Sequence, residues 1–298
     1  MNEAPETPAV RDGKLTRPDG RTLAWVEAGV PDGRPILRVP GTPGSRLQVR
    51  PDQSPWLDRG LRMILTERPG FGASTRHPGR SFLDHADDLA AILAELGLGR
   101  VPIMGGSGAG PYLLAFAARH PDRVQAVTVA VGAAPILDEE ADLMIGLNAQ
   151  GYWLAKAGDR DGMTELLAPV RAAMLADPLG SFREVMETAP PADQEIMRDP
   201  AWQDYLSRGL TEALRPGVEG WVDESMLMFN GWPDLDVSMV RASVTWWHGD
   251  HDRNAPLPAV RRLLSQIPHA RLIVWPDAGH LTAYRQEAAI LDELLARS

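Results

Sequence analysis

The sequence predicts an α/β fold: a mostly parallel sheet flanked by helices on both faces, with a helical segment inserted late in it. Three observations carry this. Short apolar runs bounded by turn residues, the pattern of strands buried on both faces, alternate with segments of helical spacing. The connections between them are short, as in consecutive strand–helix units. Between residues 133 and 232 the alternation stops, and only helix-like segments broken by Gly and Pro remain.

In chain order, residues 1–12 are rich in Pro, Glu and Ala and are expected to be disordered. "KLTRPDGRTLAWVEAG" reads as a hairpin, with apolar alternation on both sides of Pro18-Asp19-Gly20. "RPILRV" (34–39) and "RMILTE" (62–67) are buried strands, and "SFLDHADDLAAILAELGLG" is a helix closing on glycines. "VPIM" and "VQAVTVAVG" are the next strands, with the helix "PYLLAFAARH" between them. From Ser243 the alternation returns as "SVTWW", "LPAVRRLLSQI", "RLIVW" and a final helix, "AYRQEAAILDELLARS". The expected organisation is therefore a core of residues 13–132 and 233–298 with a helical cap at 133–232.

With 298 residues, 44% of them hydrophobic, the chain can bury a sizeable core. It has no cysteine, which excludes disulfides, zinc-thiolate sites and thiol nucleophiles. Neither a signal peptide nor a membrane span is apparent, so a cytoplasmic location is expected. The net charge of −10 sits in the predicted cap, where 18 Asp/Glu face 7 Lys/Arg. That argues against nucleic acid as a partner. Solvated outer helix faces account for such a stretch, and attraction of a cationic substrate is the alternative.

Chemistry is suggested first by "VPIMGGSGAGPYLL", in which Ser107 stands at a strand-to-helix turn. A serine hydroxyl needs a base to remove its proton and an acid to orient that base. A tight turn that exposes it also demands small neighbours two residues before and after, here Gly105 and Ala109 beside Gly106. The Gly108 N–H would then face a developing oxyanion. A phosphate loop is excluded because the lysine is missing, Lys14 and Lys156 being the only two in the chain. G-x-G-x-x-G is not satisfied either. Partners for the serine stand past two later strands: Asp252 in "HGDHDRNAP" and His280 in "DAGHLT". Parallel strands would bring all three to one sheet edge, where open α/β folds gather their sites. The "HGDHD" cluster (248–252) could suggest a metal, but a strand end does not point consecutive side chains at one ion. His77, His85, His120 and His269 are expected to be solvated or locally bonded. Met144, Trp153, Met174, Met186, Met226, Met228 and Trp232 suit a cap core better than a pocket.

From Lys14 onward the chain resembles the α/β-hydrolases. "GGSGA" matches the nucleophile turn, Gly249, Asp252 and Pro256 match the acid motif in preference to Asp250, and "AGH" matches the histidine. "ERPGFGAST" (67–75) resembles the D-x-P-G-x-G-x-S turn, with Glu67 in place of Asp. "VPGTPGSR" (39–46) resembles the loop that supplies the second oxyanion donor, with Pro40 where His is usual. The resemblance implies a Ser107–His280–Asp252 triad and an oxyanion hole made by the Thr42 and Gly108 N–H groups. It also implies hydrolysis of a small-molecule ester with an apolar part, or of a thioester, amide or lactone, without metal or organic cofactor. A perhydrolase, a carbon–carbon bond hydrolase, an aminopeptidase or a slow-turnover ligand receptor on the same scaffold would keep these residues. Monomer and homodimer are both compatible.

Overall fold

The computed structural model describes residues 10–180, 186–187 and 189–298. Its frame is an eight-stranded sheet: β1 (Arg11–Thr16), β2 (Thr22–Gly29), β3 (Arg34–Val39), β4 (Leu61–Thr66), β5 (Val101–Gly106), β6 (Val124–Ala130), β7 (Ser243–Gly249) and β8 (Ala270–Trp275). The spatial order is β1-β2-β4-β3-β5-β6-β7-β8. β1 and β2 form the expected hairpin, turned by Gly20 at φ +83°, and β2 runs antiparallel to β4. From β4 to β8 every pairing is parallel.

Side-chain alternation along the strands divides the core in two. Leu37, Val39, Ile64, Ile103 and Val127 point to one face, against α2 (Phe82–Glu95), α3 (Gly110–Arg119) and the helix Leu257–Leu264. Ile36, Met63, Leu65 and Met104 point to the other, against Trp56 of α1 (Ser54–Leu57) and the C-terminal helix Glu287–Leu295. α2 starts at a capping box in which Ser81 Oγ accepts from Asp84 N–H and the Asp84 carboxylate accepts from Ser81 N–H.

Between β6 and β7 the chain forms α4 (Gly146–Ala157), α5 (Arg160–Ala176), α6 (Pro191–Arg198), α7 (Pro200–Leu214) and α8 (Glu219–Asn230). α4, α5, α7 and α8 share an apolar cluster around Met163, Leu167, Leu214, Trp221 and Val222, with Met174 and Met226 against it. A second cluster, Ile196, Trp202, Tyr205 and Leu206 with Leu281, joins the insertion to the core.

Several expectations are corrected. Residues 1–9 of the expected disordered N-terminus lie outside the described residues, but β1 begins at Arg11, inside that segment, because Arg11 pairs with Glu27 across the hairpin. Trp232, placed in the cap, packs in the core cluster edge-on to Phe82, 5.7 Å between ring centroids, so the chain has rejoined the core by that point. The long final helix is a 3-10 turn at Leu281–Tyr284 followed by α-helix only from Glu287. Trp153, expected among core residues, is 44% exposed and lies beside Lys156. No helix of the described residues is long and apolar enough to cross a membrane.

Candidate active site

β5, β7 and β8 run parallel, so the loops after them leave the same carboxyl edge of the sheet. Ser107 follows β5 directly and adopts φ +55°, a left-handed conformation rare for a residue with a Cβ. The turn tolerates it because its neighbours are small. A Cβ on Gly105 would lie 2.5 Å from Val39 O and 2.7 Å from Ala109 Cβ, and one on Gly108 would lie 2.1 Å from Thr42 Oγ1. Ser107 O is held by Ala133 N–H at 2.9 Å.

Asp252 and His280 come together across the two loops after β7 and β8. His280 Nδ1 lies 2.8 Å from Asp252 Oδ2, and Oδ1 accepts from Asn254 N–H at 2.8 Å and Ala255 N–H at 3.2 Å. The loops touch closely: His251 N–H donates to Ala278 O at 3.0 Å, and a Cβ on Gly249 would lie 2.3 Å from that oxygen. Burial penalises charge on both partners, yet each favours the other's charged form. Asp252 stays below its ordinary value, and the Asp252 carboxylate raises His280 above the usual imidazole range. Among the described residues no hydrogen bond joins Ser107 Oγ to His280. Such bonds commonly tighten only when substrate is bound.

The competing candidates separate. Asp250 lies at the surface beside His251 and accepts only a long bond from Ala278 N–H. His248 is buried and donates from Nε2 to Ala255 O at 2.7 Å, with the same nitrogen 3.7 Å from Asp252 Oδ2, so the four side chains of "HGDHD" part into a buried pair, His248 and Asp252, and a surface pair, Asp250 and His251. His120 pairs with Asp87 at 2.8 Å. His85, expected to be solvated or bonded, is buried edge-on to Tyr112, and among the described residues neither ring nitrogen has a partner.

The loop after β3 runs past the nucleophile turn. Gly41 lies close enough that a Cβ there would be 3.2 Å from Ser107 Cβ, and the Thr42 and Gly108 N–H groups have no acceptor among the described residues. With Pro40 in place of His, the loop is braced by Arg68, which was not singled out from the sequence. Its guanidinium donates to the carbonyls of Pro40 and of Gly41 (2.6 Å), to Thr42 Oγ1 (2.8 Å) and to Glu224 (2.6 Å). Glu67 braces the same loop from the turn below: it accepts from Ala73 N–H, Arg46 N–H and the Arg46 side chain.

The acidic insertion was expected to present solvated carboxylates. Asp193 (2% exposed), Asp223, Glu224 (0%) and Glu140 are instead buried. None of the four lies on the helix whose mid-helix glycine signals docking on the core, since such a glycine weakens a helix unless something packs there. Gly209 is such a residue, with Gln48 Cγ 2.4 Å from where its Cβ would be. The cavity of about 220 Å³ between Gly70–Arg76 and Pro216–Gly220 lies at the seam of insertion and core, away from Ser107.

Comparison with known proteins agrees with this architecture. The sequence profile of the alpha/beta hydrolase fold matches residues 34–284, so the chain belongs to that family and is an enzyme of that fold. It is 26% identical over 269 residues to a non-heme haloperoxidase of Rhodococcus erythropolis, covering 89% of this chain and 92% of the relative. It is 28% identical over 273 residues to a 2-hydroxy-6-oxo-2,4-heptadienoate hydrolase of Pseudomonas putida, covering 87% of each. Among solved structures, an enol-lactonase from Burkholderia xenovorans superposes with a TM-score of 0.70 at 18% identity, covering 95% of this chain and all of that one.

Proposed function

We propose that the protein is a serine hydrolase of small-molecule carboxylic esters. The observation that carries this is the His280–Asp252 pair at the sheet edge where Ser107 is held in a strained turn. In this reading Ser107 Oγ attacks the carbonyl carbon while His280 Nε2 takes its proton. Asp252 accepts the Nδ1–H, fixes the tautomer and stabilises the imidazolium. The carbonyl oxygen becomes an oxyanion held by the Thr42 and Gly108 N–H groups. The carbon–oxygen bond to the alcohol breaks and His280 returns the proton to the leaving oxygen. Water, deprotonated by His280, then cleaves the acyl-enzyme and restores Ser107.

A carbon–carbon bond hydrolase working with the same residues is the second reading, favoured by the likeness to the heptadienoate hydrolase. The test is turnover of short-chain p-nitrophenyl esters beside a vinylogous 1,5-diketone acid. Ester turnover that Ser107→Ala abolishes supports the first reading. Cleavage of the diketone acid alone supports the second.

A further inference from the structure

We propose that two carboxylates of the inserted helices, Asp193 and Glu224, are positioning residues for the reaction: Asp193 sets the segment that carries His280, and Glu224 sets the loop that carries Thr42. This rests on the triad reading above and extends it from the core into the insertion.

Asp193, on α6, accepts three hydrogen bonds from the segment immediately after His280. Its Oδ2 takes Leu281 N–H at 2.9 Å, and its Oδ1 takes Thr282 N–H at 3.1 Å and Thr282 Oγ1–H at 2.8 Å. These are the otherwise unpaired donors at the start of the 3-10 turn Leu281–Tyr284, so a side chain from the insertion caps a turn of the core. The approach depends on the residue before His280 lacking a side chain. A Cβ on Gly279 would lie 2.5 Å from Asp193 Oδ2.

Glu224, on α8, reaches the opposite side of the site. Its Oε1 accepts from Thr42 Oγ1–H at 2.5 Å and from Arg68 Nε–H at 2.6 Å. Its Oε2 accepts from Arg80 at 2.6 Å and from Tyr112 O–H at 3.0 Å. Arg68 carries the constraint onward to the carbonyls of Pro40 and Gly41. Glu224 therefore holds the loop twice, through Thr42 directly and through the arginine. A fully buried carboxylate with four donors has few alternative arrangements, because each lost bond leaves a buried polar group unpaired. Where the helices seat, the backbones meet closely: a Cβ on Gly220 would lie 2.2 Å from Gly70 O.

A lid that only excludes water would leave the core loops set by core residues. Here each loop takes part of its geometry from the insertion, so the catalytic groups reach their working positions only when it is seated.

The experiment is steady-state hydrolysis of p-nitrophenyl butyrate, with labelling of Ser107 by a fluorophosphonate, for the wild type, Asp193→Asn, Glu224→Gln, Thr282→Val and Thr42→Val. Circular dichroism melts report folding. The expected result is a kcat lowered roughly 10- to 100-fold with KM within about threefold, because misplaced groups affect the transition state more than binding. Labelling should slow in parallel. If the charge variants do not fold, the two valine variants decide, since each removes one hydroxyl that donates to the carboxylate and leaves the carboxylates in place. Folded variants that keep wild-type kcat and labelling rate, whatever their melting temperature, overturn the inference alone. A wild type that neither turns over nor labels overturns the triad reading and this inference with it.

Discussion

His280 Nδ1 lies 2.8 Å from Asp252 Oδ2, while the other oxygen of that carboxylate is occupied by the Asn254 and Ala255 N–H groups. The division of labour leaves one oxygen for the imidazole and fixes its angle through the backbone of the acid loop. It also determines the proton affinity of the ring. Burial opposes an imidazolium, but Asp252, assisted by the more distant Asp193 charge, raises His280 above 6.5.

A base must be neutral to accept the serine proton, so kcat/KM should rise with pH as His280 loses its proton, with the acidic limb above pH 6.5. Asp252→Asn removes the main charge that favours imidazolium and leaves burial opposed only by the more distant Asp193, which moves the limb to lower pH. The same substitution should reduce kcat by roughly 10⁴-fold through loss of tautomer and charge stabilisation. A pH–rate profile of both proteins checks the direction, and an unmoved limb would assign it to another group.

Gly108→Ala should disable the enzyme without unfolding it. The added methyl would lie 2.1 Å from Thr42 Oγ1 and so must push the two expected oxyanion donors apart. Loss of one such donor lowers kcat about 100- to 1,000-fold. Kinetics together with a near-UV dichroism spectrum would separate this from global damage.

Arg68→Met tests the brace that stands in for the missing histidine at position 40. It leaves Glu224 buried with Arg80, Tyr112 and Thr42 as its remaining donors and frees the Pro40 and Gly41 carbonyls. Breaking one arm of a buried ion pair costs about 3–5 kcal/mol, measurable by urea denaturation. Adding Glu224→Gln should cost less than the sum of the two single changes, because the residues share one network.

How much of this was legible in the sequence depends on the range of the interaction. Ser107, Asp252 and His280 each sit in a short local pattern at a strand end, and the strands announce themselves as bounded apolar runs. Arg68 and Glu224 are 156 residues apart, and each taken locally is a charge in a turn or on a helix. The helix Pro191–Arg198 likewise carries polar residues whose inward member, Asp193, is chosen by how the helix docks. Helical spacing gives the faces of a helix but not which neighbour a polar face meets. The hairpin's start at Arg11 was missed for a related reason: its pairing is with Glu27, and the local composition is that of a tail.

His85 makes a prediction about stability. Buried without a hydrogen-bond partner among the described residues, and near Arg68, Arg80 and Arg21, it is held well below 6.5. Its contribution is therefore complete above pH 6.5 and is lost as pH falls below it, because the unfolded chain takes up a proton that the folded one refuses. The slope from one such group is at most about 1.4 kcal/mol per pH unit. His85→Phe, which keeps the edge-on packing against Tyr112, should flatten the decline of melting temperature between about pH 6.5 and 5 relative to the wild type. Parallel curves would show that His85 is not the titrating group.

Ser107, directly after β5, is expected to be an activated nucleophile. The mass of the intact protein, and of its peptides, after exposure to a fluorophosphonate at neutral pH decides this. The expected result is one adduct per chain, on Ser107, absent from Ser107→Ala and strongly slowed in His280→Ala. A folded protein that stays unlabelled, or that carries its adduct on another residue, would contradict it.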